Sequence, residues 1–146
     1  MRVGDAVKNT KRRGSQYEAL FVAQALKRGL DILEPYGDYM PYDVMVQNAD
    51  GRIQRVQVKG TGARIKGKPG FKIIAASGNT TKAPINPGEV DVLAAYVEPE
   101  DVWYLIPVVK LTGNVSVYLN PHSKVNGKYE VWQEAWNVFH NGGVPG

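Results

Sequence analysis

The chain of 146 residues contains no cysteine and only two histidines, and its formal net charge is +4. Disulfides, thiolate catalysis and cysteine-rich zinc sites are therefore excluded, and we expect one compact domain over residues 1–146. No signal-peptide core is found, and no apolar run approaches the roughly 18 residues of a membrane helix. We therefore expect an intracellular protein with no membrane partner.

Positive charge is concentrated in two short segments. The N-terminal arm, residues 1–13, has five basic residues against one acid, and residues 60–72 have four basic residues after Lys59 with no acid. These segments are either solvated, flexible stretches or two arms around a polyanion. The basic residues that we assign to polyanion contact are Lys8, Lys11, Arg12, Arg13, Arg64, Lys66, Lys68 and Lys72.

The N-terminal half predicts one helix followed by a hairpin. The helix GSQYEALFVAQALKRG opens with Ser15 as an N-cap candidate, has Glu18 at the spacing of a capping box, and ends at Gly29. YDVMV and IQRVQVKG are predicted strands joined by the turn QNADGR. Gly60 then allows the close approach of another group at the start of a flexible basic loop.

The C-terminal half predicts more sheet and a second helix. FKIIAAS and VSVYL are predicted strands, and VDVLAAYV with VWYLIPVV forms a strongly apolar and therefore central hairpin. KYEVWQEAWNVF is a predicted amphipathic helix in which Trp132 and Trp136 are packing residues. The order of helix, strands and helix predicts a mixed α/β domain built around one sheet.

Glu18 interrupts an apolar stripe of its helix, because Phe21, Val22 and Ala25 share its face. Glutamate is rarely buried without a partner. The capping box is one explanation for this residue. The other explanation is a carboxylate at the edge of a buried polar pocket.

Asp43 is a second acid in an unfavourable place, inside a predicted strand. Its neighbour across the hairpin depends on the turn. A two-residue turn at positions 50–51 sets Asp43 opposite Val58, whereas a three-residue loop at positions 49–51 sets it opposite Gln57. The sequence leaves both registers open.

In the second register, the side chains of Asp43, Gln57 and Lys59 converge, and Glu18 can join them from the helix. This set suits metal-assisted hydrolysis of a phosphodiester, since Mg²⁺ binds hard oxygen ligands. Asp43, the Gln57 side-chain oxygen and the Val58 carbonyl are candidate ligands, and Glu18 is a candidate for direct or water-mediated binding. Lys59 would orient the attacking water or stabilise the developing negative charge.

The order of helix glutamate, then PYD, then QVK resembles the PD-(D/E)XK nuclease superfamily. The resemblance implies a restriction-endonuclease-like α/β fold, with a central mixed β-sheet flanked by helices. It also implies that Glu18, Asp43, Gln57 and Lys59 are catalytic, that Mg²⁺ is the cofactor with Mn²⁺ as a substitute, and that DNA is the substrate.

Two positions depart from the superfamily pattern. Tyr42 separates Pro41 from Asp43, and Gln57 stands where an Asp or Glu is usual. The loss of one negative charge favours a single Mg²⁺ over two. Asp91, at the start of a predicted central strand, is a rival metal ligand.

Two subgroups of the superfamily are similar to this chain. The segment KRRGSQYE is similar to archaeal-type Holliday-junction resolvases, which are small homodimers that cut four-way junctions. The pattern YD followed by VQVK is also similar to small homing endonucleases, which need base-reading elements for which a chain of this length has little room unless it forms a tetramer. We favour a crossover junction endonuclease, keep the homing endonuclease as the alternative, and retain a non-catalytic DNA-binding module as a further one.

Overall fold

The computed structural model describes the backbone of residues 3–77, 82–123 and 127–141 and the side chains of residues 10–76, 82–123 and 127–140. The described residues share one hydrophobic core. No helix among them is both long enough and apolar enough to cross a membrane.

The long helix α1 spans Val3–Lys27. It begins well before the predicted start, so Ser15 lies inside it and the capping box is wrong. The basic residues of the N-terminal arm are good helix formers, and they continue the helix towards the N-terminus. The end of α1 is as predicted: Gly29 has a φ of +78° and donates its N–H to Leu26 O, and Leu30 N–H donates to Ala25 O. These two bonds form a Schellman motif.

The described residues form nine strands: β1 (Asp31–Leu33), β2 (Val44–Gln47), β3 (Ile53–Thr61), β4 (Phe71–Ile74), β5 (Ala76–Ser77), β6 (Ala83–Pro84), β7 (Val92–Val97), β8 (Val102–Pro107) and β9 (Ser116–Leu119). Five of them make the main sheet in the order β1-β2-β3-β7-β8. The pair β3 and β7 is parallel and the other pairs are antiparallel, so the sheet is mixed as predicted. Helix α1 packs against β3 and β1.

The β2–β3 hairpin has the three-residue loop. Val44 is opposite Val56, and Asn48 N–H donates to Arg52 O, which leaves residues 49–51 as the loop. Gly51 takes the left-handed conformation with a φ of +84°. The side chain of Asn48 stabilises this loop, because its Oδ1 accepts N–H groups from the loop at 3.0 Å and its Nδ2 donates to Phe139 O. Of the two registers that the sequence leaves open, the structure has the one that places Asp43 opposite Gln57.

The remaining strands form two small sheets, β4 with β9 and β5 with β6, and not the single sheet predicted. The side chains of β4 and β9 alternate, with Phe71, Ile73, Val117 and Leu119 buried in the common core. Strand β4 also contacts β3. The β4–β9 sheet therefore adds a layer to the core of the main sheet.

The predicted C-terminal helix is wrong. Residues Glu130–Trp132 form a 3-10 turn, and the short helix α2 spans only Val138–Asn141. Between them Glu134 has a φ of +51°. Its N–H donates to Trp103 O at 2.7 Å and its carboxylate accepts the Trp103 N–H at 2.7 Å. This segment covers the outer edge of β8, which is an edge strand and not a central one.

The two tryptophans of that segment pack as predicted. Trp132 and Trp136 are buried, and Trp136 stacks on Phe21 of α1 with ring centroids 5.7 Å apart. Phe21 also meets Trp103 edge to face at 5.6 Å. This aromatic cluster fixes α1 against the sheet, which in turn fixes the position of Glu18.

Candidate active site

A cleft of about 960 Å³ lies between the N-terminal half of α1 and the C-terminal end of β3. Four of the predicted site residues line it: Glu18, Asp43, Val58 and Lys59. A neighbouring hollow of about 570 Å³ shares Glu18 and Asp43 and adds Glu34. The structure therefore brings together residues that are up to 41 positions apart in the sequence, from Glu18 to Lys59.

Asp43 is held by the backbone of β3. Its N–H donates to Val56 O at 2.9 Å, and its Oδ2 accepts the N–H of Val58 at 2.7 Å. Because one oxygen is fixed, the other is directed without the side chain having to be ordered by a ligand.

The Glu18 carboxyl is in an unfavourable electrostatic position. Burial, followed by the negative charge of Asp43 and a hydrogen bond with it, raises the pKa of Glu18 to about 7. Glu34 raises this pKa further and Lys59 opposes the increase. Two carboxyl groups this close share either a proton or a cation.

Gln57 differs from the other predicted site residues because it does not line the cleft. Gly60 faces α1, because Tyr17 lies over it; alternation along β3 therefore places Gln57 on the same face as Lys59, and the hairpin register places it opposite Asp43. Its Oε1 is buried and has no hydrogen-bond partner in the described part of the chain. An orphaned buried oxygen is costly, so this atom calls for a cation or a water.

The donors fit one hard divalent cation. Two carboxylates and an amide oxygen are ligands that Mg²⁺ accepts while keeping several waters. Among the described residues no three His, Cys, Asp or Glu side chains are grouped so as to hold a metal. The candidate donors are the acids Glu18 and Asp43 together with the amide oxygen of Gln57.

Predicted basic contacts border the cleft on the side of α1, and the start of the basic loop borders it on another side. Lys11 and Arg13 of α1 line it, as do Gly62 and Ala63 at the start of the basic loop. All predicted basic contacts whose side chains are described are exposed: Lys11, Arg12, Arg13, Arg64, Lys66, Lys68 and Lys72. The side chain of Lys8 lies outside the described residues. From Val3 onwards the N-terminal arm is helical, because it forms the first part of α1.

Residues 8–139 match the family model of the PD-(D/E)XK endonucleases. The chain belongs to this family. The fold is similar to that of a bacterial homing endonuclease, with a TM-score of 0.75 and 24% sequence identity over 92% of this chain and 93% of that chain. No curated protein sequence matches the chain. The predicted superfamily and restriction-endonuclease-like fold are therefore confirmed.

The site of this endonuclease includes a residue that the sequence did not indicate. Tyr17 lines the cleft beside Glu18, and its hydroxyl donates to Glu98 Oε2 at 2.5 Å. Burial and this hydrogen bond raise the pKa of Tyr17. Its ring covers Gly60, where a Cβ would lie 2.4 Å from ring carbons. The sequence signal for this contact was Gly60, because a residue without a side chain leaves room for the Tyr17 ring.

Asp91, the rival metal ligand, lies beside the N-terminal end of β3, and its carboxylate already has hydrogen-bond partners. Its Oδ2 accepts hydrogen bonds from the N–H of Arg55 at 2.7 Å and from Arg55 Nε at 2.9 Å. Burial acts to raise the pKa of Asp91, but these bonds outweigh it and the pKa is lowered. Asp91 is therefore part of a structural ion pair.

Proposed function

We propose that this PD-(D/E)XK endonuclease hydrolyses duplex DNA at a defined site with one Mg²⁺. The observation that carries the proposal is the Glu18–Asp43 pair in a cleft bordered by basic residues of α1 and the basic loop. Two adjacent carboxylates would repel a phosphate unless a cation lay between them. A protein that only binds DNA has no use for such a pair.

In this proposal Asp43, Glu18 and the Oε1 of Gln57 hold the metal, and the Val58 carbonyl is a further candidate ligand. Bound Mg²⁺ would supply charge neutralisation at the phosphate and acidify a water. The Val58 N–H keeps the Asp43 carboxylate oriented, since it binds one oxygen at 2.7 Å. Lys59 stabilises the negative charge that develops on the phosphate, and it favours the ionised form of Glu18.

The choice of duplex DNA is supported by the likeness to a homing endonuclease over almost the whole of both chains. Because both strands must be cut, we expect at least two copies of the chain to act together, as a homodimer or a tetramer. The second candidate function is resolution of four-way junctions. The basic residues directly before Gly14 and Ser15 favour it, because junctions are recognised by shape and backbone contacts.

The test compares three substrates with Mg²⁺, with Mn²⁺ and with EDTA: a synthetic four-way junction, linear duplexes of its arms, and a pool of duplexes with a randomised central segment. We expect metal-dependent cleavage of a subset of the pool that shares one sequence, and no preference for the junction. Faster cleavage of the junction than of its arms would favour the resolvase.

Binding without cleavage of any substrate would instead make the protein a non-catalytic DNA-binding module. The Asp43→Asn variant is the control for a contaminating nuclease, because it should bind the same DNA and cut none of it. Sedimentation with and without DNA checks the number of copies.

A further inference from the structure

The basic loop, residues 62–70, is folded back on itself between β3 and β4. Ile65 N–H donates to Gly70 O at 2.9 Å, and Arg64 Nη1 donates to Pro69 O at 2.7 Å. These bonds close the loop at its base and leave residues 66–68 at its tip. The loop therefore has a defined shape, although the sequence alone suggested a flexible stretch.

Arg64 anchors this loop to the turn between β7 and β8. Arg64 Nη2 lies 2.6 Å from Oε1 of Glu100, and the Arg64 guanidinium lies over the Phe71 ring, 5.0 Å from its centroid. Glu100 ends the 3-10 turn Glu98–Glu100, and only 16% of its side chain is exposed. A hydrogen-bonded pair with one shielded partner is worth more than an ordinary surface pair.

The other oxygen of the same carboxylate has its own partner. Nε2 of His122 lies 2.6 Å from Oε2 of Glu100. His122 follows β9, the strand that pairs with β4, and the basic loop leads directly into β4. Glu100 thus connects the loop and the segment beside it to the main sheet.

The four basic residues that the sequence grouped together have two different roles in this arrangement. The charge of Arg64 is used within the protein. Lys66 and Lys68 are exposed, and neither makes an ion pair with any described residue. The lysines at the tip are therefore available to a phosphate backbone in a way that Arg64 is not.

We propose that Glu100 is a positioning residue for DNA binding: through Arg64 and His122 it holds the basic loop so that Lys66 and Lys68 face the phosphate backbone beside the cleft. The inference rests on the proposed function, because the ligand is DNA. It assigns a supporting role to an acid that simple electrostatics would call unfavourable near DNA.

The decisive variant is Glu100→Gln, because the two explanations give opposite signs. If charge alone matters, removing one acid strengthens DNA binding. If Glu100 positions the loop, we expect roughly tenfold weaker binding with a higher KM and a nearly unchanged kcat. The matched control is Asp50→Asn, the same change of charge in the exposed β2–β3 loop, which should leave binding slightly stronger or unchanged.

The salt dependence of binding adds a measurement that a general loss of stability would not change in this way. Each phosphate contact contributes about 0.9 to the slope of log K against log salt. We expect the slope to fall by about two in the double variant Lys66→Ala/Lys68→Ala, and also in Glu100→Gln. Combining all three changes should produce no further fall.

The outcomes separate the inference from the function on which it rests. Equal or tighter binding by Glu100→Gln with an unchanged slope, in a protein that still cuts DNA, overturns the role of Glu100 alone. Failure of the wild-type protein to bind any DNA overturns the proposed function. If Glu100→Gln does not fold, Arg64→Ala decides: a slope lower by about one indicates a simple phosphate contact, and one lower by about two or more indicates the anchor.

Discussion

A carboxylate from a neighbouring segment lies beside each end of strand β3, and the two are in opposite electrostatic situations. Near its N-terminal end, Asp91 accepts hydrogen bonds from the backbone and the side chain of Arg55. Near its C-terminal end, Asp43 faces another acid, Glu18. The first carboxylate has a cation of the protein beside it. The second shares its cleft with Lys59, and it is hydrogen-bonded to another acid.

The pKa values of the two ends differ accordingly. Hydrogen bonds from Arg55 outweigh burial and lower the pKa of Asp91, whereas burial and Asp43 raise the pKa of Glu18 to about 7. A satisfied ion pair is complete in the folded protein. A pair of acids beside an orphaned amide oxygen is incomplete without a cation, and perturbed groups of this kind concentrate at functional sites. The comparison therefore separates a structural ion pair from a candidate metal site along one strand.

The largest expected difference is in cleavage, when the same substitution is made at each end. Asp43→Asn should lower kcat on the order of 10³-fold, since a metal ligand supplies several kcal/mol to the transition state. DNA binding should persist, because Asp43 is not a phosphate contact. Asp91→Asn should cut DNA at the wild-type rate at temperatures where it is folded. Equal losses in both variants would mean that the two ends do not differ in function.

Removal of the cation at the C-terminal end should have the next largest effect. Lys59→Ala should lower kcat on the order of 10²-fold while thermal unfolding is little changed, because the ammonium acts on the developing charge. The matched control is Lys110→Ala, an exposed lysine just beyond the end of β8. Single-turnover cleavage rates measure both variants, and a near-normal rate for Lys59→Ala would remove this residue from the mechanism.

Stability should respond at the other end of the strand. Asp91→Asn should lower the free energy of unfolding by about 1–2 kcal/mol, a moderate figure because a third of the pair is open to solvent. The folded-state pKa of Asp91 is below its ordinary value of 3.8, so its contribution is present above that pH and is lost as the pH falls further. Urea unfolding at pH 7 and at pH 3 measures this, with Asp50→Asn as the control; equal losses at both values contradict it.

The geometry at the C-terminal end of β3 could be predicted from the sequence because the signals there are local. Asp43 in a strand and an Asp-Gly pair in the turn limited the hairpin to two registers, and the element order of the family supplied Glu18. Gly51 in the left-handed conformation decided the register. The sequence could not show that Gln57 Oε1 is buried without a hydrogen-bond partner among the described residues, because that depends on how the rest of the chain packs around β3.

The elements that could not be predicted depend on contacts between distant residues. The segment that ends in α2 has helical periodicity, yet Glu134 takes a φ of +51° to bond the edge of β8 at Trp103. Tertiary hydrogen bonds there outweigh local helix propensity. The partner of Arg64 was missed for the same reason, since Glu100 is 36 residues away.

The smallest expected effect is a gain in stability on substitution of Glu18, beside the C-terminal end of β3. The folded-state pKa of Glu18, about 7, lies above its ordinary value of 4.5, so the folded chain loses stability as the pH rises between these values. In EDTA, Glu18→Gln should match the wild type at pH 4 and exceed it at pH 8 by about 1 kcal/mol, a reduced figure because the carboxyl is partly solvated. Added Mg²⁺ should remove this advantage, because a cation between the acids stabilises the wild type alone. Parallel pH profiles, measured by urea unfolding, would show that Glu18 and Asp43 do not oppose each other and that the two ends of β3 are alike.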